Sequence, residues 1–293
     1  MIDEARGRID YEECGAGPAI VLVPGSCSTG AAWRPVIAAW DSRFRCVTTS
    51  LLGYGKTAER RTAGDASIAH EVDALESVIR RAGGPVHLVG HSFGGLVALA
   101  LALRNRAPLA SLTILEAPAA EVLREDRDDQ HYRAFRQMTE SYFAAFQGGN
   151  GEAIAAMIDF YGGAGTFAAW PPRVRAYAIE TTPANILDWA SAYGFPLSAT
   201  SLAQCRVPTL VIRGGASHPA VQRANGLVSE YIGEATLATI EGAAHFMIAT
   251  HVNEVARLVA QHVHLAEATS RTPSDAAFSD HDKAANIGAG FQS

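Results

Sequence analysis

Gly90-His91-Ser92-Phe93-Gly94 sets a serine between two glycines, directly after the apolar run Val86-His87-Leu88-Val89 and before a stretch from Phe93 to Arg104 that has no helix breaker beyond its opening glycines. At such a strand-to-helix elbow the serine takes a strained backbone conformation that exposes its hydroxyl. The flanking positions are glycine because a Cβ there would meet neighbouring backbone. A neutral hydroxyl is a poor nucleophile. It needs an imidazole to take its proton and a third group to hold that imidazole in the right tautomer. Of the ten histidines, His245 stands out: it follows a short strand and the turn Glu241-Gly242-Ala243-Ala244, precedes the last helical stretch, and comes late enough for the order Ser, acid, His. His91 points elsewhere on the elbow, and His262 and His264 fall in a helix's last turn, where a surface role suits them. The chemistry these residues suit is acyl transfer to Ser92 with His245 as general base.

The elements that must position them follow from the apolar pattern. Ala19–Val23, ended by Pro24-Gly25, reads as a buried strand. Ala31–Trp40 has helical spacing, and Phe44–Thr49 is rich in β-branched and aromatic residues. Ile68, Val72, Leu75, Val78 and Ile79 recur at three- and four-residue intervals, and Gly83-Gly84-Pro85 stops that helix. Further strands are expected at Leu109–Leu115, Val207–Ile212 and Thr236–Ile240, with helices at Ala220–Ile232 and Phe246–His264. This alternation implies an α/β fold with a mainly parallel sheet covered by helices on both faces. Between 118 and 200 the alternation gives way to a helical, aromatic segment. From 266 to 293 large apolar residues are too few to offset ordering entropy, so a disordered tail is expected there.

Val23-Pro24-Gly25-Ser26, the turn Leu52-Gly53-Tyr54-Gly55-Lys56-Thr57, the Ser92 elbow and Gly242-Ala243-Ala244-His245 together resemble the α/β-hydrolase superfamily, over residues 8 to 264. The resemblance implies a mostly parallel eight-stranded sheet. It also implies a core made of residues 1–117 and 201–265, a helical cap at 118–200 over the active site, and ester hydrolysis through an acyl-enzyme. Most members carry an Asp after the strand here represented by Thr209–Gly214, but this chain reads Gly215-Ala216-Ser217-His218-Pro219, with no carboxylate. Some members place the acid one strand earlier, after the strand that follows the nucleophile helix. Glu116 stands there, and it is the candidate acid, ahead of Glu121, Glu125 and Asp188, which a helical insertion would hold less firmly. The oxyanion hole would come from the backbone N–H groups of Ser26 and Phe93. Cys27 adjoins it, and Cys27, Trp170 and Phe246 are candidate substrate contacts, a cysteine without a neighbouring base being more often apolar filler.

The composition narrows the rest. The chain has 293 residues, of which 48% are hydrophobic and 18% charged, the range of ordinary globular proteins, and a formal net charge of −6 without a basic cluster argues against nucleic acid as a partner. No apolar window reaches the roughly 18 residues of a membrane span, and no apolar h-region follows the charged start, so neither a membrane association nor a secretory signal is expected. Four scattered cysteines suit reduced thiols and a cytoplasmic location, with no metal and no cofactor. The expected activity is a cofactor-independent serine hydrolase acting on a small, fairly apolar ester or lactone, as a monomer or homodimer. The aromatics of the insertion suggest that substrate, though they serve equally to pack the insertion itself. Alternatives are a carbon–carbon or amide hydrolase with the same triad, and a non-catalytic small-molecule receptor. An epoxide hydrolase or dehalogenase would need Asp where Ser92 stands.

Overall fold

The apolar runs at 19–23 and 86–91 are buried from end to end, as strands covered on both faces must be. A computed structural model describes residues 1–270. Its strands are β1 (Ile2–Glu4), β2 (Gly7–Ile9), β3 (Glu12–Cys14), β4 (Ala19–Val23), β5 (Arg45–Thr48), β6 (Val86–His91), β7 (Leu109–Leu115), β8 (Thr209–Gly214) and β9 (Thr236–Ile240). Seven of them form one sheet in the order β3-β5-β4-β6-β7-β8-β9, all neighbours parallel except β3 on β5. The sheet is thus mostly parallel, as expected, with seven strands in place of eight. The N-terminal β1 and β2 satisfy each other's hydrogen bonds in a separate hairpin, Ile2 opposite Ile9.

Alternate residues of the central strands feed two cores. Val21 and Val23 of β4, Leu88 of β6, and Leu112 and Ile114 of β7 face one side. There they meet α2 (Ala69–Ala82) and α3 (Phe93–Arg104). Ile20 and Leu22 of β4 and Leu115 of β7 face the other. They pack on Trp33, on Val36 of α1 (Arg34–Ala39), and on the last helix. α2 buries Val72, Leu75, Val78 and Ile79, carries Arg80 and Arg81 in its last turn, and stops at Gly83, at φ +73°.

Between β7 and β8 the chain makes α4 (Ala120–Glu125), α5 (Asp129–Gln147), α6 (Ile154–Gly162), α7 (Thr166–Ala169), α8 (Pro172–Glu180), α9 (Thr182–Tyr193) and α10 (Ala199–Leu202). This is the segment where the strand alternation stops. Its Phe135, Tyr142, Ile154 and Trp189 join the same cluster as Leu88 and Leu112. After β8 come α11 (Pro219–Tyr231), then α12 (Met247–Thr250) and α13 (Val252–Ser270). The expected helix from Phe246 to His264 is therefore broken at His251 and continues further. Residues 266–270, assigned to the tail on composition, are helical, because Val255, Val259, Val263 and Ala266 keep one face buried. The rest of the expected tail, 271–293, lies outside the described residues.

The direction of winding reverses between β4 and β6, since β5 lies to one side of β4 and every later strand to the other. Carboxyl ends of strands at such a reversal open a crevice. Pairing of Val23 with Gly90 brings the loop after β4, which carries Ser26, beside the turn that carries Ser92.

Candidate active site

Ser92 has φ +55° and ψ −129°, a conformation few non-glycine residues adopt, and its N–H donates to Leu115 O across the sheet at 2.8 Å. The turn leaves no room beside it. A methyl group on Gly94 would lie 2.2 Å from Pro24 O, and one on Gly90 would lie 2.4 Å from Gly94 O. These two glycines let α3 start against the end of β4, which is what lifts Ser92 to the cavity wall.

Glu116 follows β7, one strand away, also at positive φ (+47°), and is wholly buried. Each carboxylate oxygen has its own donor: Gly214 N–H reaches Oε1 at 2.7 Å, and His245 Nδ1 lies 2.8 Å from Oε2. The structure thus brings Glu116 and His245 together, with Nδ1 committed to the carboxylate and Nε2 left for the cavity side. Ser217, in the slot where an Asp was looked for, is buried with an unpartnered Oγ and makes no bond to His245. The end of β8 contributes the Gly214 N–H instead.

Rings enclose His245. Tyr161 lies with its centroid 4.2 Å away, Phe246 packs edge-on at 5.3 Å, and His91 sits at 4.8 Å. His91 Nε2 is 2.9 Å from the carbonyl of His245; since a carbonyl only accepts, Nε2 carries the proton. Burial, then the neighbouring His245, push the His91 pKa down to about 3, so it stays neutral and ties the backbone of the histidine loop to the elbow. In the unfolded chain His91 returns to about 6.5. The unfolded state then binds the extra proton, and this contribution to stability, present above pH 6.5, is lost as pH falls toward 3. Replacing His91 with Gln, which keeps a donor, is expected to flatten the loss of melting temperature between pH 7 and pH 4; a slope equal to wild type would contradict this.

Ser92, His245, Ser26, Phe93, Cys27, Trp170 and Phe246 all line one cavity of about 350 Å³ between the strand ends and the inserted helices, within the range of small-molecule sites. Its remaining wall is mostly apolar, from Met157, Ile158, Trp189 and Ile248 among others. Among the described residues, no backbone acceptor outside regular elements takes the N–H of Ser26 or of Phe93. Cys27 is buried in the wall, and burial with the nearby Asp188 raises its thiol pKa to about 12, which keeps it protonated.

One part of the wall went unread in the sequence. Asp188 of α9, considered only as a lesser candidate acid, does not meet His245. Its Oδ2 accepts from Ser26 Oγ at 2.5 Å and Tyr54 OH at 2.6 Å, and its Oδ1 from Arg61 at 2.7 Å. Arg61 is fully buried and also pairs with Glu59 at 2.8 Å and Glu71 at 3.3 Å. Burial opposes its charge, but Asp188, Glu59 and Glu71 together raise its pKa. Burial raises the carboxyl of Asp188 in spite of Arg61, Ser26 and Tyr54, and that of Glu71 to about 8 in spite of Arg61. The network fastens α9 to the loop that carries Ser26. Among the described residues, no group of three or more His, Cys, Asp or Glu is placed to hold a metal ion, and no helix is long and apolar enough to cross a membrane.

A model of the alpha/beta hydrolase family matches residues 20–258. The chain is 34% identical over 116 residues to the pimeloyl-(acyl-carrier protein) methyl ester esterase of Aeromonas hydrophila, covering 38% of this chain and 42% of that protein. It is 28% identical over 111 residues to the cis-3-alkyl-4-alkyloxetan-2-one decarboxylase of Xanthomonas campestris, covering 35% and 37%. The matched stretch thus spans less than half the length of these curated relatives. Among solved structures, a thermophilic esterase from Thermogutta terrifontis superposes with a TM-score of 0.68 at 22% identity, over 88% of this chain and 93% of that one, a likeness of fold.

Proposed function

Because the chain belongs to the alpha/beta hydrolase family, we propose that this hydrolase is a serine esterase or lactonase that works through an acyl-enzyme, with water as its only co-reactant. The observation that carries this reading is the buried Glu116–His245 pair, 2.8 Å from Oε2 to Nδ1, on the wall of the cavity that Ser92 also lines. His245 Nε2 takes the Ser92 proton as Oγ bonds to the substrate carbonyl carbon. The N–H groups of Ser26 and Phe93 hold the oxygen as it becomes negative. The carbon–oxygen bond to the alcohol then breaks, and the alcohol leaves with the proton from His245. Water repeats the sequence on the acyl-enzyme, releasing the acid and restoring Ser92. Glu116 keeps the Nδ1 proton in place and stabilises the imidazolium that forms.

A relative named for a methyl ester supports the ester class, and the apolar wall supports an apolar substrate. Four free thiols suit the cytoplasm. The test is covalent. A fluorophosphonate should add once, on the peptide that contains Ser92, and remove hydrolysis of p-nitrophenyl esters in step with labelling. Labelling elsewhere, or turnover that survives full labelling, would overturn the reading.

A further inference from the structure

Two of the four cysteines, far apart in the sequence, stand directly opposite each other in the sheet. β3 runs antiparallel to β5, with Glu12 paired to Thr48, Glu13 to Val47 and Cys14 to Cys46. Residues opposite each other in an antiparallel pair send their side chains to the same face, with Cα atoms about 4.5–5.5 Å apart. A disulfide spans Cα separations of about 4.4–6.8 Å. Both thiols are free, and both line one pocket of about 200 Å³ against α1, whose Ile37 and Ala38 line it too. The shared pocket places the two sulfurs on the same side of the sheet, as the pairing requires.

The two thiols differ in what they meet. Cys14 is exposed on the edge strand, whereas Cys46 is 2% exposed, in the cluster that holds Trp40 and Phe44. Burial, then the neighbouring Cys14, push the Cys46 pKa up to about 12. A dissolved oxidant therefore meets Cys14 first, and Cys46 is placed to resolve what forms there. β3 is three residues long and exposed at each of them, so it can close on β5 with little packing to disturb. The pair is separate from the active site: Cys46 lies beside Ile20, near the start of β4, and Ser26 follows the other end of that strand.

We propose that Cys14 and Cys46 form a reversible redox modification site whose oxidant is a low-molecular-weight disulfide such as oxidised glutathione. The Cys14 thiolate attacks one sulfur of that disulfide; the new S–S bond forms as the old one breaks, and one small thiolate leaves. The Cys46 thiolate then attacks Cys14 Sγ, expels the second small thiolate and leaves a Cys14–Cys46 disulfide. Two electrons pass to the oxidant, and the two protons lost by the cysteines go to solvent. Excess small thiol reverses both steps, so the pair stays a dithiol in a reducing compartment. The loop that closes holds residues 15–45, including β4 and Ser26. The bond thus restricts the unfolded chain over the segment that builds the middle of the sheet.

The experiment equilibrates the full chain in glutathione buffers from fully reduced to fully oxidised. Samples are quenched with N-ethylmaleimide in denaturant and read by intact mass and by a non-reducing digest. All four cysteines should carry the label from reducing buffer. From oxidising buffer only Cys27 and Cys205 should carry it, with the peptides of Cys14 and Cys46 joined, and dithiothreitol should restore the rest. The oxidised protein should melt about 5 °C above the reduced one. In Cys14→Ser, a change on an exposed strand that leaves the core intact, the joined peptides and the melting shift should both disappear. Full labelling in the most oxidising buffer, a glutathione adduct on Cys14 that never closes, joining of any other pair, or chains linked through Cys14 would each overturn the proposal. So would a melting shift of the same size in Cys14→Ser.

Discussion

Glu116→Gln is expected to lower kcat on a p-nitrophenyl ester about 10⁴-fold while the protein stays folded. The reason lies in how the two carboxylate oxygens are used. Oε1 receives the N–H of Gly214, so a glutamine is held with its carbonyl oxygen on that side and its NH₂ toward His245. Nδ1 must then accept, the ring proton moves to Nε2, and Nε2 has no lone pair left for the Ser92 proton. Size, burial and the Gly214 bond are all retained, so the loss is one of tautomer rather than of packing. Measured kcat with an unchanged melting temperature checks it, and a loss below tenfold would assign the orienting role to another group.

The second large effect is on stability. Arg61→Met removes the one cation among Glu59, Glu71 and Asp188, and the latter two carboxylates are 2% and 1% exposed. Breaking a buried pair by taking away one partner costs about 3–5 kcal/mol, because the remaining charge is left without compensation. The urea midpoint should fall accordingly. Lysine should restore only part of it, since a single ammonium does not span the three carboxylates that the guanidinium reaches. The sign with pH is fixed by protonation. Without Arg61 the buried carboxyls bind protons in the folded state that the unfolded chain has released, so the variant loses stability as pH rises from 5 to 8. A deficit that shrank over that interval would contradict this account.

The parts of the site legible in the sequence were those written locally. Ser92 needs only a strand, a turn with two small residues and a helix, all consecutive. The meeting of Glu116 with His245 was legible more indirectly. The slot after Ile212, where most α/β-hydrolases carry an Asp, holds no carboxylate, and the resemblance implied an acid one strand earlier, where Glu116 follows β7. Arg61 and Asp188 were not legible. They lie 127 residues apart, on a loop and on a helix that no pattern links, and their bond exists only because α9 is laid over that loop. The end of the last helix was misjudged because a window rich in Ser, Thr and Ala averages away the single stripe that Val263 and Ala266 continue.

The inserted helices share one apolar cluster with a face of the sheet, Trp189 and Phe135 being continuous with Leu88 and Leu112. A hinged cover would have to tear that cluster to admit anything. The cavity already reaches the surface at a corner, beside Pro171, Val174 and Ala249, wall residues that are themselves exposed. The helices therefore need no hinge for the cavity to meet solvent, and Trp170 and Phe246 in its wall meet edge to face at 5.0 Å.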